Sequence, residues 1–176
     1  IEVKSGKYYT VSSLNKFRNK YREQLNASYV LHTDDLKEKD GVNQVWLSHW
    51  HEDHMGFLNL FDNCSLRMSQ RDFPPLTDIE IFLDWYGIRD EALRALWKNI
   101  MLTNFNYRPQ KEAVLFSDDE VINLGSLNVQ VIPTPGHTPG HLSFFFPDEE
   151  ILFLGDYDLT TFGPWYGDVD SSIEQT

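Results

Sequence analysis

The sequence predicts a layered α/β (α+β) domain, and three observations carry that reading. Apolar residues recur at helical spacing through the first two thirds of the chain, short runs of Val, Ile, Leu and Phe fill the last third, and turn residues punctuate them. No repeat, low-complexity tract or Gly/Ser linker interrupts the 176 residues. Residues 1–176 therefore read as a single domain with a helical segment at about 77–104.

Taken in order, the first helix is expected behind Ser12 and Ser13, good N-cap types, where Leu14, Phe17, Tyr21 and Leu25 recur at steps of three and four. After the turn-prone Lys39-Asp40-Gly41, the run Val45-Trp46-Leu47 reads as a short buried strand. Thr77-Asp78-Ile79-Glu80 has the form of a capping box, with Gly87 as the stop of the helix it opens. Beyond Asp90, the residues Leu93, Leu96, Trp97, Ile100 and Met101 make an amphipathic stripe expected to face a core. Strands are expected at 120–123, 127–132, 142–146 and 151–154, separated by Gly-, Pro- and Asp-containing turns. Residues 170–175 read as the beginning of a helix.

Lys and Arg total 15 against 27 Asp and Glu, a formal net charge of −12. That balance repels phosphate backbones and no basic patch offsets it, so the expected partner is a small-molecule substrate and not nucleic acid. No apolar run approaches the ~20 residues that span a bilayer, so no membrane partner is expected. The single cysteine, Cys64, forms no intramolecular disulfide and fits a reducing compartment; with no signal pattern visible, a cytoplasmic location is expected. No motif surrounds Cys64, which reads as a small buried hydrophobe and not a nucleophile. The chain opens Ile-Glu-Val-Lys without an initiator Met, and a longer parent polypeptide is expected.

The chemistry lies in two histidine clusters and one Gly-Asp pair. The first cluster is His49-Trp50-His51-Glu52-Asp53-His54. If the strand at 45–47 runs on, alternation puts His49, His51 and Asp53 on one side, and His54 joins them only if the chain turns, which Gly56 would help. Three imidazoles and a carboxylate within six residues form a borderline-hard donor set suited to Zn²⁺, and to Fe or Mn less strongly. The second cluster, Thr134-Pro135-Gly136-His137-Thr138-Pro139-Gly140-His141, holds its histidines on a loop stiffened by proline. The third element is Phe153-Leu154-Gly155-Asp156, where a carboxylate at the mouth of an apolar strand needs a cation or hydrogen-bond donors.

In this order, HWHEDH, TPGHTPGH and FLGD resemble the motifs of the metallo-β-lactamase fold superfamily over roughly residues 45–167. The resemblance implies an αββα sandwich of two mixed sheets flanked by helices, with a dinuclear metal site at one edge. It also implies His49, His51 and His137 on a first metal, Asp53 and His54 on a second, and Asp156 bridging, with two Zn²⁺ expected and Fe or Mn as alternatives. His141 is then a residue that orients ligands by hydrogen bonds. Two such cations would acidify a bridging water towards neutral pH, and Asp53 would position it and take its proton.

Within the superfamily the substrate stays open. Asp156 stands where the zinc β-lactamases place a cysteine, and His51 where flavin-partnered diiron reductases carry a glutamate, while −12 opposes an RNA substrate. What remains is hydrolysis of an ester, thioester or lactone, resembling the hydroxyacylglutathione hydrolases. The alternatives are a mononuclear iron sulfur dioxygenase of the same fold and a non-catalytic metal-binding scaffold. Two departures stand out. No histidine follows His141, although the family carries a further one on the second metal, and no Asp-Thr-Gly-like segment precedes the first motif, where His32 takes a surface or turn role. Truncation of a longer protein is the expected cause. Phe162-Gly163-Pro164-Trp165-Tyr166-Gly167 is a possible aromatic wall at the site, with Trp165, Tyr166 and Tyr157 as candidate substrate contacts.

Overall fold

The computed structural model describes residues 2–3, 30–31, 43–56, 58–125, 127–157 and 163–176, and the chain divides into two units, Ile1–Val42 and Asn43–Thr176. In the first unit β1 (Glu2–Val3) pairs in parallel with β2 (Val30–Leu31). The helix expected behind Ser12 and Ser13, and His32, lie outside the described residues.

In the second unit, parallel and antiparallel pairing are segregated. β3 (Gln44–Trp46), β4 (Ser65–Met68) and β5 (Val114–Leu115) form a parallel sheet in that order. β6 (Val121–Asn123), β7 (Asn128–Pro133), β8 (Leu142–Phe146) and β9 (Ile151–Phe153) form an antiparallel meander. The fold class is α/β as the sequence predicts, but neither sheet of this unit is mixed among the described residues. The four strands expected after residue 120 are all present, each within a residue or two of its expected bounds.

Helices lie between β3 and β4 and between β4 and β5. α1 (Glu52–Met55) is a single turn directly after the first histidines. α2 (Pro74–Thr77), α3 (Ile79–Trp85) and α4 (Glu91–Asn104) follow. The cap of α3 is Asp78 and not Thr77: Asp78 Oδ1 accepts from the Glu80 amide at 2.7 Å, while the Thr77 hydroxyl donates back to Pro74 O at 2.7 Å and closes α2. Two short helices meeting at one residue compete for the same hydroxyl, and the nearer carbonyl takes it. Gly87 follows α3 with φ +68, the left-handed stop its position predicts. Asp90 caps α4 through the Leu93 amide at 2.9 Å. Of the α4 stripe, Met101 is buried, whereas Leu93 and Leu96 are exposed; the core covers only the C-terminal part of that face.

Strand alternation divides the interior into two cores. Leu66 and Met68 of β4 turn to the helices, joining Leu47, Trp50, Phe82, Leu83 and Met101. Arg67, between them, points the other way, its guanidinium 4.4 Å from the Phe116 ring centre and bonded to Glu120 at 2.9 Å. On that side Val129, Val131, Leu142 and Phe144 of the antiparallel sheet pack with Phe116 and Trp46. Helices, parallel sheet and antiparallel sheet are thus three layers, and full burial of a side chain such as Phe82 or Met68 contributes about 1.5–3 kcal/mol. One bond between the layers joins the two histidine segments: the Leu142 amide at the start of β8 donates to Ser48 O at 2.9 Å. It sets Ser48, beside His49, against Leu142, beside His141.

Candidate metal centre

β3 ends at Trp46, so the first histidine cluster does not ride on a continued strand. Residues 47–51 form a loop beyond the carboxyl end of a parallel strand, and His51, with φ −63 and ψ 155, is the N-cap of α1. The carbonyl of His51 accepts from the amides of His54 and Met55, both at 3.1 Å. The chain turns at His51 and not at Gly56; one helical turn, not strand alternation, brings His54 back toward His49, whose rings are 4.1 Å apart. Gly56 has an ordinary helical φ of −59, and a side chain there would press on Glu52 O.

His137 enters from the loop after β7 and Asp156 from the end of β9. Three of the imidazoles each have one ring nitrogen occupied from behind. His49 Nδ1 lies 3.0 Å from Ser48 Oγ. His137 Nδ1 lies 2.5 Å from Trp165 O, an atom that only accepts, so the proton is on Nδ1 and Nε2 carries a lone pair. His51 Nε2 lies 2.7 Å from Asp168 Oδ2, which leaves Nδ1 for another partner. The front nitrogens converge: His49 Nε2 and His137 Nε2 are 3.3 Å apart, and His49, His51 and His137 offer ligand atoms within 4.8 Å of one another.

His49, His54 and Asp156 make a second such group sharing His49. Asp156 Oδ1 is 3.1 Å from His54 Nε2, and its Oδ2 is 4.0 Å from His49 Nε2 and 3.8 Å from His137 Nε2. Asp156 therefore stands between the two groups. Asp53 does not join either of them; its carboxylate is exposed at the rim, 3.8 Å from His54.

The electrostatics favour a cation. Burial, and then the neighbouring imidazoles, hold the His49 pKa well below its ordinary value, so at neutral pH its ring is an uncharged donor. Burial lowers His137 as well. At His54 burial pulls down, but the Asp156 hydrogen bond and the charges of Asp53, Asp156 and Glu52 outweigh it and raise the pKa. Asp156 is held down at about 2: burial opposes, and the His54 hydrogen bond and charge prevail. When the Ser48 hydroxyl donates to His49 Nδ1, His49 Nε2–H can donate to His137 Nε2 across the 3.3 Å; when it accepts instead, both Nε2 atoms carry lone pairs and face a common point, as two ligands of one cation would. The donor set of neutral imidazoles and an ionised carboxylate fits a divalent transition metal such as zinc.

His141 has no nitrogen to spare. Its Nδ1 lies 2.9 Å from Thr134 Oγ1 and its Nε2 accepts the Asp156 amide at 3.1 Å, while burial, then His137, depresses its pKa to about 3. It is the post on which the Asp156 backbone is hung. Gly155 has φ +61, and a Cβ there would lie 2.7 Å from His141 Nε2. The TPGHTPGH loop is fastened by a residue the motifs do not mention, Asp72. This fully buried carboxylate accepts from Thr138 Oγ1 and from the Gly140 amide, both at 2.6 Å.

A cleft of about 500 Å³ opens onto the site, lined by His51, Glu52, Asp53, Tyr86, Trp97 and Trp165 among others. Trp165, one of the candidate substrate contacts, is among the lining residues. Tyr166 and Tyr157 do not line the cleft: their hydroxyls donate to Thr176 Oγ1 and Thr176 O, each at 2.7 Å. Phe162 lies outside the described residues, and the helix expected at 170–175 is a 3-10 turn at Ile173–Gln175. Cys64 is partly buried beside a different cleft that Arg108 also lines. Asp168, Asp72, Ser48 and the Trp165 carbonyl were invisible in the motifs. Only a polar residue surviving in an otherwise apolar neighbourhood could have signalled them.

The sequence profile of the metallo-beta-lactamase superfamily matches residues 34–175. A probable metallo-hydrolase of Streptococcus pyogenes is 30% identical over 112 residues, 64% of this chain and 45% of the relative. The human acyl-coenzyme A thioesterase MBLAC2 is 28% identical over 137 residues, 76% of this chain and 48% of the relative. A hydroxyacylglutathione hydrolase of Hyphomonas neptunium is 28% identical over 115 residues, 65% and 33% respectively. The chain spans about half or less of the length of these relatives. Among solved structures, TTHA1623 in a di-iron-bound form superposes with a TM-score of 0.51 at 16% identity, over 98% of this chain and 69% of that one, a likeness of fold.

Proposed function

Starting from the premise that this chain belongs to the metallo-β-lactamase superfamily, we propose that it is a metal-dependent hydrolase of an ester, thioester or lactone. The observation that carries the reading is the pair of buried, uncharged imidazole nitrogens facing each other across 3.3 Å with Asp156 beside them. His49, His51 and His137 would hold one divalent cation and His54 and Asp156 would belong to a second position, with Asp156 shared; Asp53, outside both groups, would join the second only by turning its side chain inward. When bound, such cations supply an acidified water near neutral pH and an electrophile for the carbonyl oxygen. Asp53, open to solvent at the rim, would take a proton from the attacking water and return it to the leaving group. Tyr86, Trp97 and Trp165 form the cleft that presents the carbonyl and thins the water around it. Two relatives named as a thioesterase and a hydroxyacylglutathione hydrolase support a thioester or ester bond as the one broken.

The test is elemental analysis of the purified chain together with turnover of simple aryl esters, thioesters and lactones before and after chelation. About two zinc ions per chain and chelator-sensitive hydrolysis are expected. One iron per chain with oxygen consumption on a thiol substrate points to the dioxygenase instead. Metal-loaded protein that turns over none of these bonds overturns the proposal.

A further inference from the structure

The candidate ligands His51 and His137 sit on different elements, one at the N-cap of α1 and one on the loop after β7. Both rings are held from behind by the same short stretch of chain. The Trp165 carbonyl takes the His137 Nδ1–H at 2.5 Å, and Asp168 Oδ2 takes the His51 Nε2–H at 2.7 Å. The angle at which the two front nitrogens meet is therefore set by the path of residues 165–168. Bonds to two rings orient them only if that stretch is itself held still.

The Val169 amide fastens it to Trp85 O at the end of α3, at 3.0 Å, and the Ser172 amide fastens it to Gly136 O, at 2.8 Å. Both are main-chain bonds. The Ser171 hydroxyl adds a tie of another kind. It donates to the His137 carbonyl at 2.9 Å and accepts the Asp168 amide at 3.2 Å, which one proton and two lone pairs allow at once. The Ser171 amide returns to Asp168 O at 3.3 Å and closes the turn. Ser171 thus joins the backbone of the residue that carries one ring to the backbone of the residue that holds the other. Together with the bond from His137 to the Trp165 carbonyl, it makes a closed circuit through which neither end of the stretch moves alone. Trp165 also lines the cleft, its ring 5.6 Å from that of His51, so the same tie places part of the cleft wall.

We infer that Ser171 is a positioning residue of the metal centre: it sets the mutual alignment of His51 and His137, acting through Asp168 and the His137 backbone and not on either ring. The inference rests on the reading that these histidines share a divalent cation, and adds the residue that aligns them for it. Without the hydroxyl, the Asp168 amide loses its acceptor and the turn is free to drift from His137. Donors that drift bind a metal less tightly even when all of them are present.

The experiment compares the parent chain with Ser171→Ala, with Ser171→Thr, which keeps the hydroxyl, and with Tyr107→Phe. The last removes a buried hydroxyl bond to Pro75 O, 2.8 Å long and in the helical layer, and so controls for general loosening. Competition for Zn²⁺ against a chromophoric chelator is expected to show affinity about tenfold lower in Ser171→Ala, recovered in Ser171→Thr and unchanged in Tyr107→Phe. The second readout needs no metal. Long-range proton–nitrogen NMR of the stripped proteins at pH 7.5 reports which nitrogen of His137 carries the proton. Ser171→Ala is expected to raise the Nε2–H fraction several-fold over the parent, and the other two variants are not. Unchanged affinity and an unchanged tautomer in Ser171→Ala overturn the inference, as does a loss of equal size in Tyr107→Phe or one that Ser171→Thr fails to recover. If the parent takes up no zinc, the metal reading fails and the tautomer decides alone. A shift confined to Ser171→Ala then supports alignment by Ser171, and its absence overturns it.

Discussion

Nε2 of His51 and Oδ2 of Asp168 lie 2.7 Å apart across 117 residues of sequence, with the Asp168 side chain fully buried. The carboxylate takes the ring's outer N–H and so fixes which nitrogen faces the site. Asp168→Ala is expected to weaken metal binding by about 10–100-fold. Asp168→Asn, whose side-chain oxygen can still accept from His51, is expected to keep most of the affinity. Competition against a chromophoric chelator measures both, and an Asp168→Ala protein of unchanged affinity removes this role.

Metal removal has a thermodynamic consequence that does not depend on turnover. With three buried imidazoles as the donor set, occupancy stabilises the folded chain by about 4 kcal/mol when free metal stands a thousandfold above its Kd. Differential scanning calorimetry with and without chelator is expected to show a lower midpoint for the stripped protein. Identical midpoints would mean that these donors hold nothing.

Gly155 gives a sharper handle on Asp156. With φ +61 and His141 Nε2 2.7 Å from a built Cβ, Gly155→Ala faces both backbone strain and a clash with the post that holds Asp156. A destabilisation of about 1–3 kcal/mol is expected from the conformation alone. Metal content should fall as well, because the Asp156 amide can no longer reach His141. Urea denaturation and elemental analysis of the same preparation check the two effects together.

Asp72 makes stability depend on pH in an unusual direction for a carboxylate. Burial pushes its pKa from 3.8 up to about 7, against the bonds from Thr138 and Gly140. Between those values the unfolded chain has lost a proton that the folded chain keeps, so this group's contribution is fully present below about 4 and is lost as pH rises to 7. Asp72→Asn removes that loss and can keep both partners, accepting from Gly140 and donating to Thr138. Its stability relative to the parent should therefore rise with pH, by up to about 4 kcal/mol over the interval. Chelator-treated proteins melted from pH 4.5 to 7.5 provide the measurement, and a difference that stays flat contradicts the assignment.

The four β-strands after residue 120 and helices α3 and α4 were legible as apolar runs and stripes between turn and cap residues, although burial does not follow in all of them: Ile151–Phe153 of β9 is exposed throughout. Asp78 displaced Thr77 as a cap, and Leu93 and Leu96 stayed outside, because neighbours from another element decide which hydroxyl and which side of a helix are occupied. The parallel strand β4 drew no expectation: four residues, Ser65–Met68, are too few to show a period.

The six candidate donors His49, His51, Asp53, His54, His137 and Asp156 could be named from the order of residues alone, since a metal site needs particular side-chain types, and the fold gathers all of them but Asp53 into two groups. Their arrangement could not. That His54 returns by a helical turn, that Asp53 stays at the rim, and that Tyr157 and Tyr166 turn to Thr176 are decided by backbone paths set in three layers. Asp168, Asp72 and the Trp165 carbonyl belong to the same class. Each acts through a hydrogen bond that works only within about 3 Å, and contacts of that length between distant residues exist only once the chain has folded.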